Sequence, residues 1–394
     1  MGDPNGGLVR LNVHLIPRVV IAAFLLVIVG CTAPTDTPSE SREVFHFVRI
    51  VQTTPDSNFL EGSGGYIHYV PATDRFVIML QTRIDKPVSL ISSRQECNGK
   101  AIGYKEFTAD TEPTGRYGFI ACGFADTTSR IIGNDMYVVS MAPAASSSNG
   151  SSLQENWRLE RFDAVSWKRL GSVDIPLETG NEAGDGPTIS FVNGQIDVTG
   201  EYFVNKNPDD PLGRGSHHHF FTLDLNPLGK MVLKPPEYPA HCPMASIIQE
   251  SGGDILLFSA TALEGDIAVY RFDKEWHFKE VTKLKDKAFF PTGSVTDGNL
   301  LYIAYTDTSN REAGRMYRNV RLAAFDKNWN LMQDVAVTNF INTSDTYMDG
   351  ESPWVTLHNN RLYVSYNVSE LDPVSGALIE TQAYVNIYEI TMKP

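Results

Sequence analysis

One strand–turn–strand pattern recurs along the chain, and it constrains the fold more than any other feature. "SPWVTLHNNRLYVSY" at Ser352 aligns with "FPTGSVTDGNLLYIAY" at Phe290, "CPMASIIQESGGDILLFS" at Cys242 and "GPTISFVNGQIDVTG" at Gly186. Looser copies are "ADTTSRIIGNDMYVVS" at Ala125 and "GGYIHYVPATDRFVIML" at Gly64. Alternation of apolar and polar residues on both sides of a Gly/Asn/Asp turn is the signature of a hairpin. Anchored on Phe76, Met136, Ile196, Ile255, Leu301 and Leu362, successive copies lie 60, 60, 59, 46 and 61 residues apart. A repeat of that length marks a propeller or an array, in which each unit buries its faces against its neighbours.

Each hairpin is followed by a third apolar stretch ending in an aromatic or Leu before Asp: Phe162-Asp163, Leu223-Asp224, Phe272-Asp273 and Phe325-Asp326. Asp suits the start of a tight turn because its carboxylate accepts backbone N–H groups two residues on. A fourth apolar stretch comes next, so each copy reads as a four-stranded antiparallel blade. The last copy stops after its third strand, "AYVNIYEI", while "EVFHFVRIVQ" (Glu43 to Gln52) stands spare ahead of the first. Pairing the two leaves no exposed sheet edge at the seam. The expected fold is all-β: a propeller of six four-stranded blades over residues 43–394, closed by the N-terminal strand. Five blades is the alternative, because the second copy is weak. Long Gly/Ser/Pro/Asp-rich inserts follow the second strand, as in "APAASSSNGSSLQEN" and "NKNPDDPLGRGS". Their common step in the repeat puts them on one rim.

The N-terminal segment carries an address. Arg10 and Arg18 precede "VVIAAFLLVIVG", Val19 to Gly30. That run is shorter than the roughly 20 residues a membrane-spanning helix needs, and it suits a signal-peptide core. Ile28-Val29-Gly30-Cys31 followed by "TAPTDTPSES" resembles the lipobox of prokaryotic lipoproteins. The resemblance implies residues 1–30 as signal peptide, acyl chains such as palmitate on Cys31, a tether over 31–42, and an extracytoplasmic location on the cell envelope. Three cysteines remain: Cys97, Cys122 and Cys242. Outside the cytoplasm these permit one bridge, with Cys97–Cys122 favoured by proximity. The formal net charge of −14 excludes the basic surface that a nucleic-acid binder needs.

In a propeller, residues just before the innermost strands ring one mouth. Here these include Glu61, Asp126, Asp185, His241, Asp349 and Glu351, with Trp354 beside them as a stacking surface. Crowded carboxylates raise one another's pKa, bind cations or grip sugar hydroxyls. The bland alternative is that they cap strands and turns. The "GESPWVTLHNNRLYVSY" segment loosely resembles the acid-bearing strand of five-bladed glycoside hydrolases. That resemblance implies Glu351 as acid with Asp185 and Glu61 as partners, since hydrolysis needs two carboxylates across the bond. The early catalytic Asp-Pro of that family is absent, the first copy reading "GSGGYIHY". The preferred reading is a non-catalytic binding or scaffolding module for a glycan, peptide or envelope partner, with glycoside hydrolase as the alternative.

His217-His218-His219 alternates, placing His217 and His219 on one strand face and His218 on the other. Two same-face histidines with a rim ligand suit zinc or copper. A surface strand is preferred, and no metal is assigned. Asn205, Asn207, Asp209 and Asp210 are oxygen donors at calcium-compatible spacing without a complete EF-hand pattern, so a solvated loop is preferred there. Trp276 and Trp329 occupy equivalent turns and are read as blade packing.

Overall fold

The computed structural model describes residues 43–391, apart from 54–61, 94, 124–126, 143–155, 179, 183–185, 204–212, 235–239, 262–265, 308–317, 341–346 and 373–377. For 62–64, 83, 85, 99, 142, 240–244, 261, 289–290, 347–349, 351 and 378–380 it describes the backbone alone. The signal, lipidation and tether assignments, Cys31 included, therefore lie outside the described residues. So do the Asn205–Asp210 donors and most of the two inserts, whose last residues already belong to the strands that begin at Asn156 and Arg214.

Among the described residues the alternating segments form 24 strands in six four-stranded antiparallel sheets. Blade 1 comprises β2 (Gly62–Val70), β3 (Arg75–Ser89), β4 (Glu96–Thr108) and β5 (Pro113–Cys122). Blade 2 comprises β6 (Thr128–Ile132), β7 (Asp135–Ala142), β8 (Asn156–Asp163) and β9 (Arg169–Pro176). Blade 3 is β10 (Thr188–Val192), β11 (Gln195–Phe203), β12 (Arg214–Phe221) and β13 (Pro227–Leu233). Blade 4 is β14 (Ala240–Gln249), β15 (Ile255–Thr261), β16 (Ile267–Phe272) and β17 (Phe278–Lys285). Blade 5 is β18 (Ala288–Thr296), β19 (Leu301–Asp307), β20 (Asn319–Phe325) and β21 (Leu331–Ala336). Blade 6 is β22 (Tyr347–His358), β23 (Arg361–Leu371), β24 (Leu378–Ile390) and, as its outer strand, β1 (Phe45–Gln52). Each innermost strand (β2, β6, β10, β14, β18, β22) touches those of both neighbours, so the ring closes at six blades.

The seam is held as the spare strand requires. β1 pairs β24 from Phe45↔Ile390 to Gln52↔Tyr384. Phe45 is buried edge-on against Tyr302 and Tyr388. The Gln333 side chain accepts the Val44 and Phe45 N–H groups at 2.7 and 3.0 Å. Apolar residues of adjacent blades share the buried clusters, so packing between blades supplies the core.

Two sequence signals acquire a physical meaning. The prolines in the first strand of three copies, Pro243, Pro291 and Pro353, fall within register breaks: His241/Ser246, Phe289/Gly293 and Glu351/Trp354. A bulge tolerates proline because the missing N–H is not needed by the ladder. The Asp turns form as expected in three blades. Asp163 Oδ1 accepts from Ser166 N at 2.6 Å, Asp273 Oδ1 from Glu275 N at 2.9 Å and Asp326 Oδ1 from Asn328 N at 2.8 Å. In blade 3 the assignment of Asp224 needs correction. The turn starts two residues earlier, at Thr222, whose hydroxyl accepts Asn226 N at 3.1 Å, while Asp224 takes Arg161 at 2.5 Å. Trp167, Trp276 and Trp329 follow these Asp residues with φ of 61°, 67° and 67°. Each packs back on the preceding blade: Trp167 stacks on Tyr104 at 4.0 Å, Trp276 lies 4.9 Å from His218, and Trp329 lies 6.3 Å from Phe258. Blade packing is thus the role of Trp276 and Trp329. Cys97 and Cys122, on neighbouring strands β4 and β5, form a disulfide with Cα atoms 5.5 Å apart.

Candidate functional site

Antiparallel blades send all six innermost strands through the ring in one direction. Their C-terminal halves surround a cavity of about 550 Å³ on the propeller axis. Its wall comes from five blades: His68 and Tyr69 of β2, Arg130 and Ile131 of β6, Ile248 of β14, Ser294 to Thr296 of β18 and Trp354 to Leu357 of β22. That volume falls within the roughly 300–1,000 Å³ typical of small-molecule sites.

Inner strands diverge too far to pair with one another, so their polar groups are satisfied by side chains across the blade boundaries. His68 Nε2 and Ser129 Oγ are 2.8 Å apart between blades 1 and 2. Thr128 donates to Pro187 O at 2.8 Å between blades 2 and 3. Ser246 and Ser294 hydroxyls are 2.5 Å apart between blades 4 and 5. The Thr292 hydroxyl donates to Pro353 O between blades 5 and 6, and Thr356 to Ile67 O at 2.6 Å between blades 6 and 1. This belt makes the axis polar.

Arg130 is the one charged side chain in the described lining. Among the described residues no carboxylate lies within ion-pairing distance of its guanidinium. Burial pulls its pKa below the ordinary arginine value. Next to it, His68 is 5% exposed. Burial first, and the field of Arg130 second, push the His68 pKa down to about 3, so the imidazole is neutral at physiological pH. A partly buried cation among hydroxyls and ring faces is equipped to take an anionic group, with hydroxyl donors and acceptors for a polyol around it.

The residues singled out from sequence fall differently. Glu61, Asp126 and Asp185 lie outside the described residues, as do the side chains of His241, Asp349 and Glu351. The latter three do not precede the innermost strands, as expected, but lie inside them. His241 belongs to β14, and Asp349 and Glu351 belong to β22, opposite Ser369 and Asn367 of β23. The described cavity is at the other end of the strands, where they leave the ring. Trp354 does line it, but is 7% exposed and packs edge-on to Tyr66 (5.1 Å, 88°) and His68 (5.7 Å). It walls the cavity instead of offering an open stacking face. The sequence reading missed Arg130 and the hydroxyl belt. The available signal was a Ser or Thr in five of the six copies, as in "DTTSR", "GPTIS", "MASI", "PTGS" and "WVTL", with His68 in the first.

The histidine triplet alternates as expected, but the strand is buried rather than superficial: His217 and His218 are 0% exposed and His219 is 8% exposed. A strand next to the blade edge still has both faces covered by neighbouring blades. His218 faces blade 4, where a Ser–His–Asp arrangement forms. Asp197 Oδ2 is 2.9 Å from His218 Nδ1, and Ser216 Oγ is 2.8 Å from Nε2. Thr199 donates to Asp197 at 3.0 Å. These four residues are all 0% exposed. A nucleophile needs access to substrate, so this network ties β11 to β12 and satisfies a buried carboxylate.

No protein-family model matches the chain, and no curated relative does. Solved structures with similar architecture include an exo-β-1,3-galactanase from Clostridium thermocellum (11% identity, 67% of this chain and 58% of that one, TM-score 0.46). A GH43 endo-arabinanase from Bacillus licheniformis aligns at 10% identity over 66% of this chain and 93% of its own, with TM-score 0.40. A subtype N11 neuraminidase-like protein of A/flat-faced bat/Peru (H18N11) aligns at 9% identity over 88% and 95%, with TM-score 0.46. This chain spans little more than half of the galactanase. The likeness is confined to the β-propeller fold.

Proposed function

We propose that this chain is a non-catalytic binding propeller, tethered to the cell envelope by lipid on Cys31. Its ligand is an acidic glycan unit whose carboxylate pairs with Arg130 in the axial cavity. The observation that carries this reading is the Arg130 guanidinium, partly buried, in a cavity whose described lining contains no acid. In a chain of net charge −14, a cation that is the one charged group in the described lining selects for an anion against the prevailing field. Ser294, Thr296 and Thr356 add hydroxyl partners, and Tyr69, Ile131 and Trp354 add apolar surface for a sugar ring. The Cys97–Cys122 disulfide supports an oxidising, extracytoplasmic setting.

Binding is preferred to hydrolysis because glycosidases need two carboxylates flanking the bond. The cavity offers none among its described residues. The separating experiment is incubation with acidic and neutral polysaccharides, following both reducing-end release and retention on a polysaccharide affinity gel. Retention of the acidic polymers with no release is expected. Release that disappears in Glu351→Gln would establish the hydrolase instead.

A further inference from the structure

Away from the axis, between blades 2 and 3, the geometry points to a divalent metal site formed by Glu182, His217 and His219, with zinc as the favoured ion. Glu182 sits in the link between β9 and β10, 3% exposed, and is fixed by its bridge to Tyr202 and by the Glu178 N–H, which donates to Oε2 at 2.8 Å. His217 Nδ1 lies 3.9 Å from Oε1, and His219 Nε2 lies 3.6 Å from Oε2. One donor atom from each residue falls within 4.8 Å of the other two. Tetrahedral zinc with bonds of roughly 2.0–2.1 Å holds its donors about 3.4 Å apart. Small side-chain movements therefore close the set.

An independent observation points the same way. His219 Nε2 is buried, faces the carboxylate and has no hydrogen-bond partner among the described residues, its distance to Oε2 being too long for one. The rings are also held in place before any ion arrives. His217 stacks on the buried Trp157 at 4.8 Å, and His219 meets His217 edge-on at 5.2 Å. Gly200 lies under both: a Cβ there would be 2.6 Å from His217 Nε2 and 2.4 Å from Trp157. That leaves Nδ1 as the nitrogen facing Glu182. Imidazole and carboxylate donors in this proportion suit zinc and its first-row neighbours, with water completing the shell.

The present cation at the carboxylate is Lys230, whose Nζ is 3.3 Å from Oε1. Its side chain is 52% exposed and also lies 3.7 Å from Glu178, so it has somewhere to go when an ion binds. The ion would link the β9–β10 connection to β12 and thereby clamp blade 3 to blade 2.

The test is zinc binding by the full chain after chelator treatment, measured by equilibrium dialysis with elemental analysis, with cobalt as a spectroscopic probe. One zinc per chain is expected, with a tetrahedral cobalt spectrum lacking thiolate charge transfer. His219→Gln and Glu182→Gln should bind at least about 100-fold more weakly, since losing an outer-shell partner alone costs about 10–100-fold. Lys230→Met, a change at a half-exposed side chain that should fold normally, removes the competing charge and should bind more tightly. Absence of stoichiometric zinc in wild type and Lys230→Met, unchanged binding in the two ligand variants, or unchanged affinity in Lys230→Met would each overturn the assignment.

Discussion

Lowering the pH below about 6.5 should destabilise this propeller through His68. Its ring is 5% exposed and is engaged by Ser129 at 2.8 Å with Arg130 beside it. Burial and then the Arg130 charge depress its pKa from 6.5 to about 3. The unfolded chain therefore takes up a proton below about pH 6.5, while the folded chain resists it until about pH 3. The stabilisation is complete above the unfolded pKa and is lost as the pH falls through that window. Each pH unit inside it costs about 1.4 kcal/mol, and the whole interval amounts to roughly 5 kcal/mol. That is a large share of the 5–15 kcal/mol (about) by which domains are stable. Chemical denaturation followed between about pH 6.5 and pH 4.5 should show wild type losing stability more steeply than His68→Gln, by about 1.4 kcal/mol per unit. An imidazole proton titration should leave His68 flat across that range. Parallel stability profiles for the two proteins, or a His68 midpoint near that of a free histidine, would refute the reasoning.

Three further outcomes follow from the geometry and a fourth from the N-terminal sequence. Replacing Arg130 by Met should raise the His68 pKa toward its ordinary value, because it removes one of the two causes of the depression; an NMR titration reads this. Replacing Cys97 and Cys122 together by Ser should cost roughly 3.5 kcal/mol by chain-entropy reasoning for a separation of 25 residues, measured by denaturant midpoint. Gly200→Ala should destabilise by about 1–3 kcal/mol, because its Cβ would lie 2.4 Å from the Trp157 ring, measured by thermal unfolding. Cys31→Ser should release the protein from the membrane fraction on cell fractionation; retention there would remove the lipid anchor from the proposal.

Architecture was largely legible because each copy must bury both blade faces, so pattern and period carry the fold. The missing fourth strand of the last copy and the spare segment at Phe45 identified the closure. Prolines 243, 291 and 353 were visible as a recurring mark but not as bulges, since only pairing shows that two residues on one strand are matched by more on the next. The site was less legible. Attention fell on acids at the entrance to the innermost strands, whereas the described cavity opens where those strands end. Arg130 in "TTSRIIGN" reads locally as a solvated strand end; its position on the axis is a property of ring closure. The triplet at His217 was assigned its two faces by alternation, but three imidazoles in a row suggested a surface. Coverage of the strand by two neighbouring blades, each contributing a Trp, is a tertiary fact.

The central claim is that Arg130 gives the axial cavity its specificity for an anionic sugar. Isothermal titration with a uronic-acid oligosaccharide and its carboxyl-reduced neutral counterpart, against wild type and Arg130→Met, tests it directly. The account predicts that wild type binds the acidic form and not the neutral one. Arg130→Met should lose about 1.5–3 kcal/mol of binding free energy, the value of a hydrogen bond to a charged group, or roughly 10- to 150-fold in Kd. Equal affinity for the two sugars, or an acidic ligand that binds Arg130→Met as tightly as wild type, would contradict it.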